Sequence, residues 1–214
     1  MKDKLTNLLT DKGTQAATEI ARALIQDPSK TSMVIDGVTS GKAKIKYGSA
    51  KTLLIMSERN PELIYPYFHK FVDLLSGNNN ILKWTAIDII CNFSFADKEE
   101  KIDRKLINGF TEMITGDSLI TAGHVVGNLW KIAINDKHPA DKLAVEMLKA
   151  ENANISAECK SILAGHVLDS FSRFFDLLSN SKKKDVLEFA ARHASSSRSG
   201  TRRKANLFIK RFKA

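Results

Sequence analysis

Tyr47-Gly-Ser-Ala-Lys-Thr-Leu-Leu-Ile-Met-Ser-Glu-Arg-Asn-Pro61-Glu-Leu-Ile64 is followed by Phe68-His-Lys-Phe-Val-Asp-Leu-Leu-Ser-Gly77 and then by Lys83-Trp84-Thr-Ala-Ile-Asp88-Ile-Ile90. This stretch decides the fold. It reads as a short helix with one apolar stripe, a tight polar turn over Ser76 to Asn80, and a second, more apolar helix that opens on a basic residue and an aromatic. The apolar positions 64, 67, 68, 71, 74 and 75 fall at i, i+3 and i+4, the spacing of a helix that buries one face. The second helices are more apolar through their middles, as at Leu53-Leu54-Ile55-Met56 and Ile89-Ile90-Cys91, which suits elements packed between neighbours.

The unit recurs. Lys46-Tyr47 and Lys83-Trp84 lie 37 residues apart, and the same step reaches Thr121 in Ile-Thr-Ala-Gly-His-Val-Val-Gly-Asn-Leu. Phe71 to Gly77 (FVDLLSG) returns 39 residues later as Phe110 to Gly116 (FTEMITG). No sustained period-2 run bounded by hairpin turns occurs, so the class is all-α. Pro28, Pro61 and Pro139 each precede an apolar-periodic stretch, a helix-start placement.

On these residues the chain resembles the HEAT/armadillo-type helical repeats, whose units of about 40 residues stack helix pairs. The resemblance implies a right-handed α-solenoid of about five pairs: 31–39 with 43–58, 62–76 with 80–94, 98–115 with 118–135, 139–150 with 155–178, and 181–194 with 198–212. Stretches 3–10 and 14–27 would form an N-terminal helical cap. Small residues in second helices, Gly123 and Gly127 or Ala164 and Gly165, are expected to let helices approach closely.

Charge is unevenly distributed along the 214 residues. The net charge is +9. From Ser181 to Ala214 there are eleven Lys and Arg against two acids, whereas residues 1–180 hold twenty-two of each. The domain reading is therefore a single repeat domain over 1–214, with a cap (1–28), a neutral stack (29–180) and a basic terminal repeat (181–214). With 43% hydrophobic and 27% charged residues the chain has the composition of a globular protein. No apolar run approaches the ~20 residues that cross a bilayer, and Met1-Lys2-Asp3-Lys4 leads into mixed polar sequence, so the expectation is a cytoplasmic protein with no membrane partner.

Catalytic motifs are absent. There is no Gly-rich phosphate loop, no Gly-x-Ser-x-Gly, no His-Glu-x-x-His and no Cys-x-x-Cys, and no cofactor is expected. Cys91 and Cys159 read as reduced packing residues. Two of the five histidines, His124 and His166, share the context Ala-Gly-His-Val; two ligands without a third make a poor metal site, so no metal is expected. Trp84 and Asp88 are one turn apart on one helix face. The chain resembles, in general architecture, a HEAT-like class of alkylpurine DNA glycosylases that place Trp and Asp on a concave face to hold damaged DNA, and Trp84-x-x-x-Asp88 is the one motif that carries over. Both residue types are also ordinary in such helices.

The expected function is a non-catalytic scaffold that binds a protein or peptide on the concave face of its second helices. The candidate contacts are Lys46, Lys83, Trp84, Asp88, Asn128 and Lys131. The alternative is phosphate-backbone binding by the basic terminal repeat, with base excision as its extreme form. That repeat carries Lys182, Lys183, Lys184, Arg198, Arg202, Arg203, Lys204, Lys210 and Arg211. The same cluster also suits an acidic protein partner, or the polar outer face that a terminal repeat needs to stay soluble.

Overall fold

The computed structural model describes residues 14–135 and 140–213, which fold into α-helices and short 3₁₀ turns with no strand among them. We number the helices α1 (Thr14–Gln26), α2 (Thr31–Gly37), α3 (Ala43–Arg59), α4 (Phe68–Leu75), α5 (Asn80–Phe93), α6 (Arg104–Ile114), α7 (Leu119–Ala133), α8 (Ala140–Leu148), α9 (Ala157–Phe174), α10 (Asn180–His193) and α11 (Ser199–Phe212). The expected stretch 3–10 and residues 136–139, with His138 and Pro139, lie outside the described residues.

The helices start where the local chemistry places an acceptor. Asn79, Asp103, Ser118, Ser156 and Ser179 each accept from a backbone N–H three residues on, which caps α5, α6, α7, α9 and α10. Pro28 and Pro61 open single 3₁₀ turns. α11 lacks such a cap: its N-cap is Arg198, whose guanidinium offers no acceptor, and the hydroxyl of Thr201 in its first turn donates to the Ser161 carbonyl of α9, 2.7 Å away.

One correction concerns the expected helix 98–115, which begins only at Arg104. The preceding loop is held by Asp97, 6% exposed, whose Oδ1 accepts from the Tyr65 hydroxyl and from the Lys101 amide. Within that loop Glu100 takes the left-handed φ of 56°. Burial of Tyr65 and its bond to Asp97 push the phenol well above its ordinary value.

The chain forms two compact units, 1–101 and 102–214. In the first, α2 pairs with α3 and α4 with α5, while α3 packs on both α1 and α5. Tyr65, Phe68 and Phe71 surround Phe93 at 5.5 to 5.8 Å between ring centroids. The second unit follows the same rule: the first helices α6, α8 and α10 each pack on the next, and so do the second helices α7, α9 and α11. Its core is built from Phe110, Leu129, Phe171, Phe174, Phe189 and Phe208. Each helix thus buries its stripe against its partner and the equivalent helices on either side, and no single centre holds the unit.

Hydrogen bonds between equivalent elements mark the repeat length. Asn79 to Tyr47, Ser179 to Asp141, Arg198 to Glu158 and Arg192 to Glu151 span 32, 38, 40 and 41 residues.

Candidate functional site

The second helices keep one face partly open, and the helical period says which residues share it. On α7 the stripe is Ile120, His124, Gly127, Asn128 and Lys131; on α9 it is Ile162, His166, Asp169 and Arg173; on α11 it is Arg203, Lys204, Leu207, Lys210 and Arg211. Leu207 is 59% exposed among these cations.

In the second unit the register of α7 on α9 is fixed by two contacts. A Cβ on Gly123 would stand 4.0 Å from His166 Cδ2, and the Arg173 guanidinium lies over the Trp130 ring at 4.6 Å. Both members of the second contact are seven residues beyond those of the first. α9 and α11 approach more closely: a Cβ on Gly165 would meet Thr201 Oγ1 at 3.2 Å and Lys204 Cδ at 3.5 Å. Gly165 is therefore the close-approach residue. Gly127, expected to play the same part, faces open space, with nothing within 4 Å of where a Cβ would stand.

Side-chain bonds order this face. Asn128 donates through Nδ2 to the His124 carbonyl at 2.9 Å and accepts from Lys131 Nζ at 2.5 Å. Lys204 forms an ion pair with Asp169. Desolvation against its neighbours, then the Lys204 cation, hold His166 below its ordinary value; Asp169 opposes them. Among the described residues no group of three or more His, Cys, Asp or Glu could hold a metal.

Several of the terminal cations have partners. Lys182 pairs with Asp185, Arg192 with Glu151, Arg198 with Glu158 and Lys204 with Asp169, and three of these acids belong to the preceding helix pair. Lys184 reaches Glu188 at 4.0 Å. Lys183 lies over Phe175 at 5.9 Å and Arg211 over Phe212 at 4.8 Å. Arg202 donates to the Ser196 and Ser197 carbonyls. Arg203 and Lys210 are exposed on the α11 stripe. At a helix start such as that of α11, cations oppose the macrodipole; here Lys204 and Arg202 act as cross-links to α9 and to the loop before α11.

Sorted by helix, the charge takes a different form from its distribution along the chain. The second helices α3, α5, α7, α9 and α11 hold thirteen Lys and Arg and four Asp and Glu, a net +9, so the rest of the sequence carries twenty of each. In the second unit alone α7, α9 and α11 carry eight basic and two acidic residues.

The expected contacts divide. Trp84 and Asp88 lie on the half-buried side of α5 with the exposed Ile81, and both have interaction partners. Asn128 and Lys131 lie on the open stripe of α7. Lys46 and Lys83 fall in helical register with buried positions, Ala50 and Leu53 for the first and Ile87 and Ile90 for the second. The stripe of α3 is instead taken by Tyr47 and Lys51. Sequence reasoning passed over Arg173 and Trp130 as a pair. A signal existed: Lys131 and Arg173 are 42 residues apart, the same offset as the two Ala-Gly-His-Val segments.

No protein-family model and no curated protein matches the chain. Solved structures do. An engineered protein from the Northeast Structural Genomics Consortium is similar over 98% of this chain and 95% of its own, with 16% identity and a TM-score of 0.58. A second engineered protein from that consortium covers 98% and 89%, with 16% identity and a TM-score of 0.61. A designed armadillo repeat protein covers 97% and 98%, with 11% identity and a TM-score of 0.58. The fold is an armadillo/HEAT-like α-helical repeat.

Proposed function

We propose that the chain is a non-catalytic helical-repeat scaffold that binds a protein partner on the open faces of its second helices, and that the segment bound by the second unit is acidic. One observation carries this reading. The whole charge excess belongs to the second helices, while the rest of the chain balances. A solubility device would be spread over the outer faces; charge confined to one class of helix raises the local concentration of an oppositely charged partner. The fold supports the choice of a protein partner, because stacked repeats offer long surfaces of this kind.

The test is fluorescence anisotropy with labelled deca-glutamate. The reading predicts binding that weakens as salt rises and is lost in the double variant Arg173→Glu/Arg211→Glu. Absence of binding at low salt refutes it.

A second reading has its own support. Arg203, Lys210 and Arg211 are exposed on the last helix, a patch that suits a phosphate backbone. Duplex DNA titrated under the same conditions separates the two, since a backbone binder loses affinity by orders of magnitude over a few-fold rise in salt.

A further inference from the structure

The cations on the open face of the second unit are in line. His124 and His166 form one row across α7 and α9, 42 residues apart; Lys131 and Arg173 form a second row with the same offset, two helical turns further on. On α11 the register set by Gly165 places Lys204 beside the first row, where it meets Asp169 and lowers His166. Arg211 stands seven residues beyond Lys204, the same two turns, and so continues the second row. In the first row Lys204 is paired with Asp169. The second row is Lys131, Arg173 and Arg211.

Arg173 is the best prepared member. Its guanidinium lies on Trp130 at 4.6 Å, with Lys131 Nζ 5.9 Å from the same ring, and among the described residues it makes no hydrogen bond or ion pair. Contact with the ring restrains the guanidinium while its N–H groups stay open, and an arginine so restrained takes a carboxylate with two parallel bonds at little further entropic cost.

Helices packed in this way lie about 8 to 10 Å apart, which sets the step of the row. A polyproline II segment repeats its facing side every three residues over about 9 Å, whereas strand residues three apart face opposite sides. From this matching step we propose that the row reads acidic residues spaced three apart in a polyproline II peptide that crosses α7, α9 and α11. The Trp130 face that a base would stack on is covered by Arg173.

This inference rests on the acidic-partner reading, and the experiment tells their failures apart. Two peptides of one composition are titrated by anisotropy at about 50 mM salt: four Glu-Ala-Pro repeats, and an isomer with its four Glu contiguous. The row predicts that the spaced peptide binds about tenfold more tightly. Arg173→Lys keeps the charge but loses the stacked fork, and Trp130→Leu releases the arginine; each is expected to abolish the preference. Arg202→Lys, on the other side of α11, is expected to keep it. Circular dichroism of each variant checks the fold, and Arg173→Lys at an exposed position keeps the test valid if Trp130→Leu unfolds. Equal affinity for the two isomers, or equal loss from Arg202→Lys, overturns the row and leaves the acidic-partner reading in place. No binding of either peptide, or tighter binding of generic duplex DNA, overturns both.

Discussion

Two mid-helix glycines provide a pair of substitutions with opposite expected signs. Gly127 of α7 has open space where a side chain would go, so Gly127→Ala recovers the intrinsic helix cost of glycine, about 1 kcal/mol, with no steric penalty. Gly165 of α9 is different. Its Cβ would already sit 3.2 Å from Thr201 Oγ1, an oxygen that cannot retreat without breaking its 2.7 Å bond to the Ser161 carbonyl. The two further methyls of Gly165→Val must displace Thr201 or Lys204. Overpacking of this kind costs about 1 to 3 kcal/mol, and the lost Thr201 bond adds about 1. The exposed Lys204–Asp169 pair adds less than that. Valine returns only about half of the glycine propensity cost, so the net expectation is about 2 kcal/mol of destabilisation. Urea denaturation of both variants measures the difference. A neutral or stabilised Gly165→Val refutes the close approach of α9 and α11, and with it the register that places Arg211 in line with Arg173.

Other consequences are equally direct. Phe208, 4% exposed between Phe175 at 5.3 Å and Phe212 at 4.7 Å, anchors the last helix. Phe208→Ala is expected to cost about 3 to 5 kcal/mol, seen as hydrogen exchange that rises in α10 and α11 more than in α7, since a terminal repeat opens first. Tyr65→Phe leaves the buried Asp97 carboxylate with one donor fewer; about 1 to 3 kcal/mol of stability is lost by urea denaturation. His193, held low chiefly by desolvation with Glu151 opposing, and His166 both titrate below the ordinary value of 6.5. The unfolded chain therefore takes up protons first as pH falls, so this stability is complete above about 6.5 and declines below it. Denaturation midpoints at pH 7.5 and near pH 5.5 should show the decline, and His166→Gln/His193→Gln should flatten it.

The helix pairs were legible because burial imposes a period on apolar residues. Positions 64, 67, 68, 71 and 74 announce a one-faced helix whatever their partners are. The polar turn over Ser76 to Asn80 was legible for the same reason, and the structure finds the Asn79 cap within it. What sequence reasoning missed depends on contacts between residues about 30 to 40 apart. Nothing local says that Asp97 accepts from Tyr65 and so delays α6, or that Thr201 bonds to α9 instead of capping its own helix. Gly127 and Gly165 look alike until the neighbouring helix is placed. Charge counted along the chain marked the last 34 residues; counted by helix it marks the second helices. Lys46 and Lys83 were chosen for their place at a helix start; each is half-buried and in helical register with buried positions. Arg173 required the opposite step, since its orientation comes from Trp130 on the preceding second helix.

The central claim is that the open faces of α7, α9 and α11 are the binding surface. Backbone amide NMR of the labelled 23.8 kDa chain, titrated with deca-glutamate, tests it most directly. The account predicts shifts concentrated at His124 to Lys131, His166 to Arg173 and Lys204 to Arg211. Shifts confined to the first helices α6, α8 and α10, or none at saturating peptide, would contradict it.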